Sequence, residues 1–189
     1  MRTIYIILLT LTTILSCNKK TDKSVNDSMV IDSLPTEFQH SQEAKKQIDS
    51  LNSWLYEDEV DKMGDSIYYA QLKSAENLNL DFPYENSYAS LSIRNKQGKN
   101  DVIFSVTEGQ IKGYVYDGGT ARIRFDNEKP FNIGYVGSSD GSSEVIFLQT
   151  PNKIIDKLKK SKRMVIEVEF YNNGNKQIEF NTEGLVWKH

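Results

Sequence analysis

Three arginines and a group of tyrosines carry the plainest binding chemistry in this sequence. Arg122 and Arg124 alternate with Ala121, Ile123 and Phe125, so both guanidinium groups share one face of a strand. Arg94, in Leu91-Ser92-Ile93-Arg94, falls on a second strand of the same build. A guanidinium pair can clamp a carboxylate or phosphate through paired N–H donors. The commoner use of such residues is cross-strand pairing, here with Glu167, Glu169 or Glu179 on the wet face of a sheet. Tyr84, Tyr88, Tyr114, Tyr116 and Tyr135 occupy loop-like stretches. Exposed tyrosine gives rigid contact area with a polar tip, as on a binding rim. It also covers the ends of β-sandwiches, and the sequence leaves both uses open. Arg94, Arg122, Arg124, Tyr114 and Tyr116 form the candidate ligand-binding set.

Other chemistry is sparse. Glu57-Asp58-Glu59 with Asp61 and Asp65 is an acidic run of oxygen ligands, the kind Ca²⁺ favours. Its spacing matches no EF-hand loop, so a solvated edge is expected and no metal or cofactor is assigned. The two histidines, His40 and His189, stand in no motif. His40 reads as a surface residue, and His189, last in the sequence, as a frayed one. There is no nucleophile–base set, no phosphate-binding glycine loop and no HExxH pair. No catalytic residue is assigned, and the chain is expected not to be an enzyme. A formal charge of −3 gives no broad reason to bind nucleic acid.

The single cysteine has a telling position. Arg2 precedes the apolar run Ile4 to Leu15, which ends in Ser16-Cys17. This is the build of a secretory signal, with an apolar stretch too short to span a bilayer comfortably. Ile14-Leu15-Ser16-Cys17 resembles a bacterial lipobox. In that resemblance the Cys17 thiol becomes a thioether to diacylglycerol, cleavage falls before Cys17, and the freed amine is usually acylated as well. The alternative is a plain secretory signal with an incidental cysteine. Each buried CH₂ of an acyl chain contributes ~0.8 kcal/mol, so two or three chains anchor stably. Asn18 is not the Asp that resembles an inner-membrane retention signal. The expected location is the outer membrane with the body in the periplasm, and export to the cell surface is the alternative left open.

The elements divide the chain into three. Residues 1–16 form the signal peptide, and 17–52 a lipid-anchored tether with a short helix near Glu37 to Leu51. Residues 53–189 form a mainly β domain, expected as an antiparallel β-sandwich. Of the 189 residues, 8 are Phe, 10 Tyr and 2 Trp, enough to build one core. Ser66–Leu72, Ser90–Arg94, Val102–Val106, Ala121–Phe125, Val165–Phe170 and Lys176–Phe180 read as strands. Gln97-Gly98, Asp117-Gly118-Gly119, Gly137–Gly141 and Asn173-Gly174 supply turns, and nine or ten strands are expected. One short helix near 151–160 breaks the pattern. Pro151 stands just inside its start, Thr150 is a candidate N-cap, and Ile154, Ile155 and Leu158 share a face.

Several short motifs lie in a familiar order. They are Trp54, Asp61-Lys62-Met63-x-Asp65, Ser74-x-x-Asn77, Leu91-Ser92-Ile93-Arg94, Arg122-Ile123-Arg124-Phe125-Asp126, Ser139-Asp140-Gly141 and Phe180-x-x-x-Gly184-Leu185. Over about residues 53–187 the chain resembles the type VI secretion-associated (VasI/TagO-like) envelope proteins. It is also similar to small β-sandwich lipoproteins of Bacteroidetes-type bacteria. The family's strand often continues Leu-x-x-Arg-Cys, whereas Asn95 follows Arg94 here, which removes any disulfide that the family forms there. The resemblance implies a non-catalytic envelope module and transfers no catalytic residue. The function expected is a lipid-anchored periplasmic binding or assembly module with an envelope protein partner. The alternative is a binder of a small anion or glycan through an Arg/Tyr face.

Overall fold

A computed structural model describes residues 53–113 and 118–189. The signal peptide, Cys17, the tether with its expected helix, Tyr114 and Tyr116 lie outside the described residues. The described chain builds nine strands and one helix. The strands are β1 (Leu55–Val60), β2 (Ser66–Lys73), β3 (Ala89–Lys96), β4 (Lys99–Val106), β5 (Gly119–Phe125), β6 (Phe131–Gly137), β7 (Val145–Leu148), β8 (Arg163–Phe170) and β9 (Gly174–Asn181). The helix α1 (Pro151–Leu158) lies between β7 and β8. It is not long and apolar enough to cross a membrane.

Every strand pair is antiparallel, in the order β1-β2-β3-β4-β7-β6-β5-β8-β9. The mainly β, antiparallel class with one short helix is therefore as expected. The two layers anticipated for a sandwich are joined here in one hydrogen-bonded sheet that bends round a single core. Phe104 of β4 meets Phe180 of β9 edge-to-face at 6.3 Å, although five strand steps separate them along the sheet. Such steps of ~4.8 Å total roughly 24 Å in a flat sheet, so the contact requires strong curvature. The connection from β4 to β5 passes β7 and β6, and that from β7 to β8, carrying α1, passes β6 and β5. These are two overlapping Greek keys.

Period-two alternation creates this core. Ala121, Ile123 and Phe125 of β5 turn inward against Met164, Ile166, Val168 and Phe170 of β8. The turns follow the sequence chemistry. Gln97 and Gly98 both take positive φ, 51° and 74°, which lets two residues join Lys96 to Lys99. Asn172 at φ 59° helps to close the β8–β9 hairpin beside Asn173-Gly174.

The helix buries Ile154, Ile155 and Leu158. Thr150 is not a side-chain cap. It sits at φ 53°, ψ 52° with no side-chain cap bond, and its carbonyl instead accepts the N–H groups of Lys153 and Ile154. A left-handed backbone turns the hydroxyl away from the orientation that a capping Thr needs.

His189 does not fray. Its ring stacks on Tyr68 at 3.8 Å and 13°, beside Trp187, and its carbonyl accepts from Asn100. The segment after β9 buries Leu185 and Trp187.

Candidate functional site

The arginine pair stands on the outer face of β5. Ile123 between the two is fully buried, whereas Arg122 is exposed and Arg124 half-buried. Strand order then selects the neighbours. β8 lies beside β5 with Arg122 opposite Glu167 and Arg124 opposite Val165, and β9 lies beyond it with Gln177 opposite Glu167. Arg122, Arg124, Pro130, Val165, Glu167 and Gln177 line a cleft of ≈ 190 Å³.

The three expected carboxylate partners are engaged elsewhere. Glu167 accepts from the Gln177 amide at 2.6 Å, Glu169 from Lys112 at 2.6 Å, and Glu179 from Arg163 at 3.3 Å. Among the described residues neither Arg122 nor Arg124 makes a side-chain hydrogen bond or ion pair. Cross-strand pairing of these two arginines is therefore not what the structure shows, even with Glu167 directly across from Arg122. Two guanidinium groups two residues apart on one strand face, with donors unspent, can take an anion's oxygens.

A second concavity of ≈ 540 Å³ shares Arg124, Val165 and Gln177 with the first. It runs over Lys176 and Glu179 to the β2–β3 connection, Ser74 to Asn79. That connection is held in place. Lys176 donates to the Asn79 carbonyl at 2.9 Å, the Asn77 carboxamide accepts from the Asn79 N–H, and Ser74 accepts from the Ala89 N–H. Gln177, Pro130 and Lys176 were not singled out from sequence. Only Gln177 carried a signal, its outward parity in Lys176-Gln177-Ile178-Glu179-Phe180; Lys176 shares the parity of buried Ile178 and Phe180, and Pro130 lies outside the strands.

The other candidates do not join this cleft. Arg94 stands on β3, four strand positions from β5, or roughly 19 Å along the sheet. Its Nε and Nη2 both donate to Asp101 across the β3–β4 ladder, at 3.0 and 2.6 Å. Arg94 is thus in a cross-strand pair, but with Asp101 rather than with Glu167, Glu169 or Glu179. Tyr135 is not in a loop. It belongs to β6, points inward at 4% exposure, and donates to the Lys112 carbonyl. Burial, with the Glu169 charge adding, pushes its hydroxyl pKa up. Tyr84 packs on the core, and Tyr88 lies under the Lys73 ammonium, 3.9 Å from its ring centre.

The acidic run serves the β1–β2 hairpin. Asp61 accepts the N–H groups of Met63 and Asp65 through one oxygen and Lys96 through the other at 2.8 Å. The Lys96 bond, followed by the Asp65 N–H, holds its carboxyl below the usual carboxylate range. Glu59 accepts from the Tyr69 hydroxyl, which burial and then that bond push up. Among the described residues no three His, Cys, Asp or Glu side chains are grouped to hold a metal ion. No protein-family model matches this chain, and neither a curated protein nor a solved structure matches it.

Proposed function

We propose that this chain is a lipid-anchored, non-catalytic binding module of the bacterial envelope. Its binding surface is the outer face of β5, β8 and β9, where Arg122 and Arg124 receive an anionic group. The observation that carries the reading is the state of the two guanidinium groups. They line one cleft while Glu167, Glu169 and Glu179 are bonded to Gln177, Lys112 and Arg163. The lipobox-like Ile14-Leu15-Ser16-Cys17 supports the anchor and the polar stretch after it supports a tether. The resemblance over residues 53–187 supports a role in the envelope.

The polar character of the adjoining concavity supports a ligand that continues past its charge. Asn77, Lys176 and Gln177 bring amide and ammonium groups there. An acidic saccharide or a phosphorylated glycan presents matching oxygens. Calorimetry with glucuronate, glucose 6-phosphate and neutral glucose tests this on the full chain. Both acidic sugars bind and glucose does not, and Arg122→Ala and Arg124→Ala each weaken binding about tenfold or more, as expected for charge-assisted bonds. Arg124→Lys recovers only part of that loss, because the planar fork is gone. Equal affinity of the wild-type chain and both alanine variants for every sugar would overturn the reading.

A further inference from the structure

The first strand of the sheet is unlike the other eight. β1 pairs with β2 from Leu55↔Gln71 to Val60↔Ser66. Among the described residues no strand pairs with its outer edge. All six of its residues are exposed, so neither of its faces covers the core. An end strand leaves about half of its backbone N–H and C=O groups without a ladder partner. Charge on the strand is a usual guard for such an edge, and Glu57-Asp58-Glu59 provides it.

Charge does not account for the apolar side chains. Leu55, Tyr56, Val60 and Met63 are 57%, 49%, 68% and 87% exposed. Val186 is 60% exposed, and its N–H donates to the Tyr56 hydroxyl at 2.8 Å. These five are most of the exposed large apolar residues in the described chain. Leu55 and Tyr56 stand on one side of the acidic run and Val60 and Met63 on the other, so an extended partner meets exposed apolar side chains at both ends of the strand. The hairpin is also pinned in position, by Lys96 on Asp61 and Gln97 on Asp65.

We propose that β1 is an acceptor edge to which a partner protein adds an extended segment bearing lysine or arginine. The ladder supplies affinity and the side chains supply choice, as in strand addition generally. Leu55, Glu57 and Glu59 share one face, and Tyr56, Asp58 and Val60 the other. The incoming strand therefore meets carboxylates on both faces and apolar groups towards both ends. A second copy of this chain fits poorly. Antiparallel pairing of β1 with β1 about a twofold axis sets Glu57-Asp58-Glu59 against itself, and like charges directly opposite repel. The proposal stands on β1 alone and is independent of the arginine cleft.

The test uses the full chain and three ten-residue peptides. One alternates lysine with valine, one alternates glutamate with valine, and one is the lysine peptide with alternate backbone nitrogens methylated. Fluorescence anisotropy reads binding, and hydrogen exchange reads the Leu55–Val60 amides. Expected results are saturable binding of the lysine peptide alone and at least tenfold slower exchange of amides on β1. Glu57→Lys with Asp58→Lys weakens binding at least tenfold without moving the melting temperature. Equal binding of the methylated peptide would show electrostatic adhesion without a ladder and overturn the proposal. So would protection, without peptide, of the outward-pointing β1 amides that are not bonded to β2. Sedimentation would then assign the occupant to a second copy, if the chain is dimeric, or to its own residues before 53.

Discussion

Asp61 shows how one side chain fixes the attitude of a whole hairpin. Its two oxygens tie Met63, Asp65 and Lys96 together, so the β1–β2 turn is braced against the β3–β4 turn. The bonds to Lys96 and to the Asp65 N–H lower the carboxyl's pKa from its ordinary 3.8. The same contact with Asp61 raises that of Lys96 from 10.5. A carboxylate with a lowered folded pKa stabilises fully above the unfolded value and loses that contribution as pH falls through the folded one. A lysine with a raised folded pKa contributes below its unfolded value and loses the contribution as pH rises through the folded one. The brace is therefore whole between about pH 4 and 10 and weakens outside that window. In a carbonyl-detected NMR titration, Lys96→Met is expected to move the Asp61 midpoint up and to speed exchange of the Gly64 amide, whose bond to the Asp61 carbonyl closes the turn. An unmoved midpoint would show that the bond is absent in solution. At this scale parity was legible in the sequence, and it placed Arg122 and Arg124 on one face. The partners were not legible. Which acid meets which base depends on β8 lying between β5 and β9, and no local pattern encodes that order.

Among the elements, β5 and β6 are held closest at their shared end. Gly118 takes φ +65°, and a Cβ there would stand 2.0 Å from the Tyr135 carbonyl oxygen, which is backbone and cannot rotate away. At Gly119 a Cβ would stand 2.3 Å from the Tyr135 ring. Gly174, at φ +65° in the β8–β9 hairpin, has nothing within 4 Å of a Cβ. The three positions separate backbone strain from collision. Gly174→Ala pays only for the left-handed conformation, about 1–2 kcal/mol. Gly118→Ala adds a clash with main chain and is expected to cost more than about 3 kcal/mol or to abolish folding. Gly119→Ala falls between, because Tyr135 can move only by giving up its bond to the Lys112 carbonyl. Urea denaturation of the three variants gives the ranking, and equal costs would refute the close approach. Strands that alternate cleanly were legible, and so were the Gln97-Gly98 and Asn173-Gly174 turns and the helix. Strands β1, β6 and β7 were not. β1 is exposed on both faces and so has no apolar period. β6 contains Gly134, where a Cβ would stand 2.4 Å from the Gln149 carboxamide, and its glycines imitate a loop. β7 spans four residues, too few to establish a period.

For the whole molecule the decisive event is closure of one long sheet on itself. Its two ends are joined through side chains and the segment after β9 rather than through a ladder. Trp54, just before β1, donates to the Thr182 carbonyl at 3.1 Å, and Lys176 of β9 reaches the Asn79 carbonyl. Trp187 inserts at 5% exposure and donates to Asn100, whose carboxamide also accepts from Asn95 and donates to Asn152 in the first turn of α1. The amide contact of Asn95 with Asn100 also ties β3 to β4. Trp54 and Trp187 thus hold the same crossing segment at two points. Removing either ring costs buried surface and leaves a cavity, about 3–5 kcal/mol for Trp→Ala. Trp54→Phe keeps most of the burial and loses one hydrogen bond, about 1 kcal/mol. If the segment docks as a unit, the first substitution already releases much of what the second would remove. The double variant Trp54→Ala/Trp187→Ala is then expected to lose less than the sum of the singles, by 0.5 kcal/mol or more, as residues coupled through a shared element do. A denaturant-unfolding cycle of the four proteins measures this directly. Additivity to within about 0.3 kcal/mol would mean that the two tryptophans act independently, and that the sheet closes in separate steps rather than through one docked segment.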